Sequence, residues 1–83
     1  MNYGELINKS EKVVVVFKKS NDTIKPELLM GFEEEKCLCF AIEIDKNFDL
    51  CKSLKITETP EYFFYHHGQL VLRNKSGMFF SIN

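Results

Sequence analysis

Three cysteines, two histidines and one proline-led aromatic run hold most of the reactive chemistry open to this 83-residue chain. Cys37 and Cys39 form a Cys-x-Cys pair, and Cys51 follows twelve residues later. A thiolate attacks disulfides and binds soft metals. A closed zinc site needs four placed ligands, usually from Cys-x2-Cys or wider spacing, and His66 or His67 could in principle supply a fourth here. The spacing therefore predicts no metal site. Three thiols cannot all pair with one another. The N-terminus Met1-Asn2-Tyr3-Gly4-Glu5 has neither the basic flank nor the apolar core of a secretion signal. Free thiols in a reducing compartment, the cytoplasm, follow as the expectation. Free cysteines of this kind usually act as small buried hydrophobes. His66 and His67 read as solvated turn residues, because a catalytic pair needs a nucleophile beside it.

Two further groups stand out for what they do to the backbone. Asn21-Asp22-Thr23 offers short polar side chains that accept hydrogen bonds from the first N–H groups of a helix. Thr59-Pro60 heads the stretch Ile56 to Val71, "ITETPEYFFYHHGQLV", the most aromatic in the chain. Proline lacks an N–H and is excluded from a central strand, so it must precede the strand rather than sit within it.

The elements that must position these groups are legible in order. Tyr3 to Asn8 reads as a short amphipathic helix with Tyr3, Leu6 and Ile7 on one side. Val13 to Phe17 is continuous, β-branched and short, as in a strand buried on both faces. A polar loop leads to a helix over Ile24 to Lys36, with Ile24, Leu28 and Phe32 spaced by four; Pro26 falls in its first turn, where N–H groups have no intrahelical acceptor. The acidic run Glu33-Glu34-Glu35 opposes the dipole at its far end. Cys37 to Ile44 reads as a second apolar strand, central in the sheet, that puts Cys37 and Cys39 on one face under a helix. A helix follows over Phe48 to Lys55, with Phe48, Cys51 and Leu54 inward. Tyr62 to His66 and Gln69 to Asn74 form a hairpin around His67-Gly68.

Composition bounds the function. The net charge is −1 from eleven basic and twelve acidic residues, so no basic excess exists to neutralise phosphates and no nucleic-acid partner is expected. The longest aliphatic run, Val13 to Val16, is far too short to span a membrane. No cofactor is implied.

The order of elements, with a proline just ahead of the third strand, resembles the thioredoxin fold over about Ser10 to Gly77, the core of one domain spanning residues 1–83. Val13 to Phe17 is similar to that family's central strand. Ile42-Glu43-Ile44-Asp45 is similar to its strand ending in a valine/isoleucine–aspartate pair. Thr59-Pro60 through Gly68 resembles its proline corner, apolar strand and glycine turn, at matching separations. The resemblance implies an α/β fold: a four-stranded mixed sheet, βαβαββ, with flanking helices. It implies a cis bond before Pro60, with the main chain of Thr59 free to pair with an extended peptide. It also implies that the family's C-terminal helix is missing, since six residues follow Gly77. Met78, Phe79, Phe80 and Ile82 would then fold back over the hairpin, or the bare face would serve a homodimer.

The departures from the family concern its chemistry. Its two reactive thiols fall on Asp22 and Lys25, its buried acid on Val16 and its active-site aromatic on Asn21. Asp22 accepts hydrogen bonds but forms no mixed disulfide. The resemblance therefore implies a redox-inactive module that holds a protein partner or extended peptide through Asn21, Asp22, Thr23, Thr59 and Pro60, or through the hairpin face. Phe48 to Ile56 carries a weaker likeness to phosducin-like chaperonin cofactors. The alternative is an atypical thiol redox protein that uses Cys37, Cys39 or Cys51.

Overall fold

Val13, Val14, Val15, Val16 and Phe17 expose no surface at all, and the rest of the chain is arranged to cover them. The structure, a computed structural model, describes residues 2–79. In chain order the elements are α1 (Tyr3–Ile7), β1 (Lys12–Lys18), α2 (Pro26–Glu34), β2 (Leu38–Glu43), a 3-10 turn (Ile44–Lys46), α3 (Phe48–Ser53), β3 (Glu61–His66) and β4 (Gln69–Asn74). The sheet order is β2-β1-β3-β4. β1 runs parallel to β2 and antiparallel to β3, and β3 pairs antiparallel with β4. The α/β architecture and four-stranded mixed sheet expected from the sequence are those observed.

Side chains alternate across a strand, so the valine run feeds two cores. Val13, Val15 and Phe17 pack with Phe63, Tyr65 and Cys51 under α1 and α3. Val14 and Val16 pack with Phe32, Cys37, Tyr62 and Phe79 against α2. Tyr3, Leu6 and Ile7 of α1 lie against the first core, as their spacing predicts. The Tyr3 and Tyr65 hydroxyls share a hydrogen bond of 2.8 Å.

Three expectations are corrected. β2 is an edge strand, not a central one: among the described residues it pairs only with β1, and Leu38 and Ala41 are exposed. A continuous apolar run does not distinguish the two positions, because an edge strand can still bury one face. Second, α2 starts at Pro26 rather than Ile24, with Lys25 as its N-cap. Asp22 is engaged elsewhere: its carboxylate accepts the Lys19 N–H at 2.9 Å and its own N–H donates to the Lys19 carbonyl at 3.0 Å. That local turn uses the side chain expected to cap the helix. Third, Phe48 is 69% exposed, and Leu50, Cys51 and Leu54 carry the packing of α3 instead.

Both longer crossover helices end in the same way. After α2, Cys37 N–H donates to Phe32 C=O at 2.8 Å and Lys36 N–H to Glu33 C=O at 2.9 Å. After α3, Ile56 N–H donates to Cys51 C=O at 3.0 Å and Lys55 N–H to Lys52 C=O at 3.1 Å. These paired bonds are Schellman motifs, which place one residue in the left-handed region. Here that residue is lysine, with φ of 59° at Lys36 and 57° at Lys55. A side chain disfavours this conformation by roughly 1–2 kcal/mol, a penalty glycine escapes. Lys36→Gly and Lys55→Gly should therefore each raise the unfolding free energy, by about 0.5–1 kcal/mol after glycine's extra unfolded-state entropy is deducted. Urea denaturation with an unchanged m-value checks this; a lowered midpoint in both variants would refute it.

On the α2 side, Phe79 covers part of the hairpin. Its ring lies 5.5 Å from Phe64 and 6.2 Å from Phe32. Met78 is half exposed, as are Leu70, Val71 and Leu72 of β4. Phe80 and Ile82, expected to fold over the same face, lie outside the described residues.

Candidate functional site

The Thr59–Pro60 peptide bond is cis, and β3 begins at the next residue. Pro60 thus stands outside the ladder, as the chemistry of proline requires. The corner separates two depressions. Pro60 lines a groove of about 360 Å³ with Thr23, Lys25, Leu28, Tyr62, Ser76 and Met78 among its walls. Thr59 lines a second, of about 290 Å³, with Lys19, Ile44, Ile56, Thr57 and Glu58. Among the described residues, no main-chain hydrogen bond engages Thr59.

Of the five residues singled out from sequence, the structure brings Thr23 and Pro60 to one groove and sets Thr59 on the other side of the corner. Asn21 is exposed, and Asp22 is occupied by its turn with Lys19; neither lines the Pro60 groove. The loop Asn21-Asp22-Thr23 precedes the helix rather than starting it, so Asp22 receives no help from the N-terminal dipole of α2.

No thiol lines either depression. Cys37 and Cys39 pack on the α2 face, and Cys51 on the other face of the sheet. The three are therefore divided between two cores and form no common metal site. Burial pushes all three thiols up, Cys39 to about 11. Val16, where a buried acid would stand, is fully enclosed by apolar side chains.

Sequence reasoning missed the group that fixes the corner from behind. Arg73 on β4 donates Nε to Glu61 Oε2 at 2.8 Å, Nη1 to the Leu54 carbonyl at 2.9 Å and Nη2 to the Lys55 carbonyl at 3.4 Å. Its guanidinium lies 4.3 Å above the Phe63 ring. Glu61, the residue after Pro60, is only 5% exposed. One planar cation thus ties the first residue of β3 to the carbonyl end of α3, where carbonyls lack helical partners. The bond to Glu61 raises the Arg73 pKa further, so the guanidinium stays charged. One signal was present: Arg73 is the sole arginine among ten lysines.

No family model matches the chain, and no curated protein matches it. Solved structures do. Mitochondrial thioredoxin 3 from Saccharomyces cerevisiae aligns with a TM-score of 0.77 at 19% identity, over 90% of this chain and 76% of that one. A thioredoxin mutant from Halobacterium salinarum gives 0.73 at 13% identity, over 87% and 67%. Fasciola hepatica thioredoxin gives 0.68 at 21% identity, over 84% and 72%. Identities this low speak to backbone architecture, and with the strand order and the proline corner they establish that the chain has the thioredoxin fold.

Proposed function

We propose that this protein is a redox-inactive thioredoxin-like module that holds an extended segment of a partner protein at the Thr59–Pro60 corner. The observation that carries the reading is a corner with open grooves on both sides and no thiol in either. An extended peptide is the fitting ligand because unpaired main chain at Thr59 accepts another strand's hydrogen bonds, while the two grooves take alternate side chains. Against the thiol-based alternative stand the burial of Cys37 and Cys51 and the raised pKa of all three cysteines, since the thiolate is the reacting species. The cytoplasm fits three cysteines that form no disulfide with one another. No helix among the described residues is long and apolar enough to cross a membrane.

The test uses a panel of end-blocked decapeptides in extended sequences, followed by amide chemical shifts. Binding peptides should perturb Thr23, Thr57, Thr59 and Tyr62. Thr23→Arg places a bulky charge in the Pro60 groove from an exposed position and should weaken binding about tenfold, or roughly 1.4 kcal/mol. Insulin reduction coupled to a reductase should stay at the uncatalysed rate. Rapid insulin reduction, or shifts confined to the far end of the sheet, would overturn the reading.

A further inference from the structure

We infer that Glu11, His66 and His67 form a surface site for a borderline-soft divalent cation of the zinc class. The site lies at the end of β3 remote from Pro60 and is independent of the peptide-binding proposal. One ligand atom from each of the three side chains lies within 4.8 Å of the others. His67 Nε2 is 3.3 Å from Glu11 Oε1, and the two imidazole centroids are 4.4 Å apart. Zinc binds nitrogen and oxygen at about 2.0–2.2 Å, so neighbouring ligand atoms of a tetrahedral site sit roughly 3.3–3.5 Å apart. The His67–Glu11 edge already meets that spacing. His66 reaches it by a side-chain rotation, for which its exposure leaves room.

Adjacent residues of a strand point to opposite faces, so neighbouring histidines do not normally chelate together. The turn removes that obstacle. His67 and Gly68 both take left-handed conformations, with φ of 51° and 77°, and the alternation ends at His66. The ligand-bearing backbones are also fixed to one another. His67 N–H donates to the Glu11 carbonyl at 2.8 Å, and His66 is paired with Lys12. Gly68 closes against the Asn8 side-chain amide, where a Cβ would collide. The ammonium of Lys12, the residue after Glu11, is held at the Glu35 carbonyl at 3.2 Å. Two imidazoles and one carboxylate suit zinc and its neighbours, whereas calcium and magnesium favour all-oxygen sites. Three protein ligands leave a coordination position for water or for a side chain of another molecule.

The test adds zinc chloride to the intact protein and follows calorimetry, amide and histidine ring shifts, and melting temperature. Expected are saturable 1:1 binding, shifts centred on Glu11, His66 and His67, and a melting temperature that rises with zinc. His66→Ala, His67→Ala and Glu11→Gln alter exposed side chains, and loss of one ligand should weaken binding about tenfold or more in each. Calcium and magnesium at the same concentrations should leave the spectra unchanged. Equal affinity in all three variants, shifts centred on the cysteine β-carbons, an equal response to calcium, or no saturation at millimolar zinc would each overturn the site.

Discussion

Arg73→Met should lower the unfolding free energy by about 2–4 kcal/mol, out of a total of roughly 4–12 kcal/mol expected for a domain of this length. The variant keeps most of the side-chain volume and loses the charge. Glu61 is then left with its carboxylate enclosed and unpartnered, which is the costly half of breaking such a pair. The Leu54 and Lys55 carbonyls lose their donors as well, and the Phe63 ring loses the cation above it. The figure is held below that for a fully buried pair because the Arg73 side chain is 34% exposed. The double variant Glu61→Leu/Arg73→Met removes both charges and should recover most of the loss, leaving a coupling energy of about 1–3 kcal/mol in the cycle. Arg73→Lys should restore little, since an ammonium cannot bridge a carboxylate and two carbonyls as the planar fork does. Urea unfolding of the four species decides the matter: additive single effects would show that no latch exists.

Native Cys39 should alkylate about a hundredfold more slowly at pH 7 than in the urea-unfolded chain, and Cys37 and Cys51 should be slowed as well. For Cys39 this follows from protonation alone. Burial first, then the neighbouring Cys37, raises its thiol from 9.0 to about 11, leaving about a hundredfold less thiolate at neutral pH. Cys37 and Cys51 are also raised by burial, and they add steric enclosure. The rate for Cys39 should climb tenfold per pH unit and level off only near pH 11. The same shift predicts alkaline lability. A group whose pKa is higher folded than unfolded favours the fold fully while both states are protonated, below about pH 9, and that contribution disappears as pH rises through the folded value near 11. Tyr3, Tyr62 and Tyr65 are raised as well, chiefly by burial, and act in the same direction at still higher pH. Iodoacetamide kinetics followed by mass spectrometry measure the first effect, and denaturation midpoints from pH 7 to 11 the second. Labelling of any one thiol at the unfolded rate would contradict the burial described.

What the sequence disclosed and what it withheld divide along physical lines. Val13 to Phe17 declares itself because four valines and a phenylalanine in so short a run are the β-branched, apolar pattern of a strand covered on both faces. The hairpin is equally legible, since His67-Gly68 supplies the turn between two β-rich stretches. Pro60 announces the corner because it cannot join a ladder. By contrast, Lys36 and Lys55 conceal the ends of α2 and α3, for nothing in a lysine signals a left-handed residue. Asp22 is ambiguous between capping a helix and closing its own turn, and the turn prevails. The edge position of β2 depends on which strands lie beyond it, which no local pattern encodes. Arg73 escapes notice because its partners, Leu54, Lys55 and Glu61, are distant in sequence and two of them are carbonyls common to every residue.

The two borders of the sheet are unlike. Along β4 the register slips between Phe64 and Tyr65, leaving Val71 without an opposite number and kinking the outer row of donors and acceptors. Along β2 the register runs from Leu38 to Glu43 without a break. A foreign strand needs evenly spaced N–H and C=O groups to zip onto, and a bulge denies them. A strand added to this sheet would find an even row on one side alone: among the described residues, the smooth margin is β2, which carries Cys39 and Phe40.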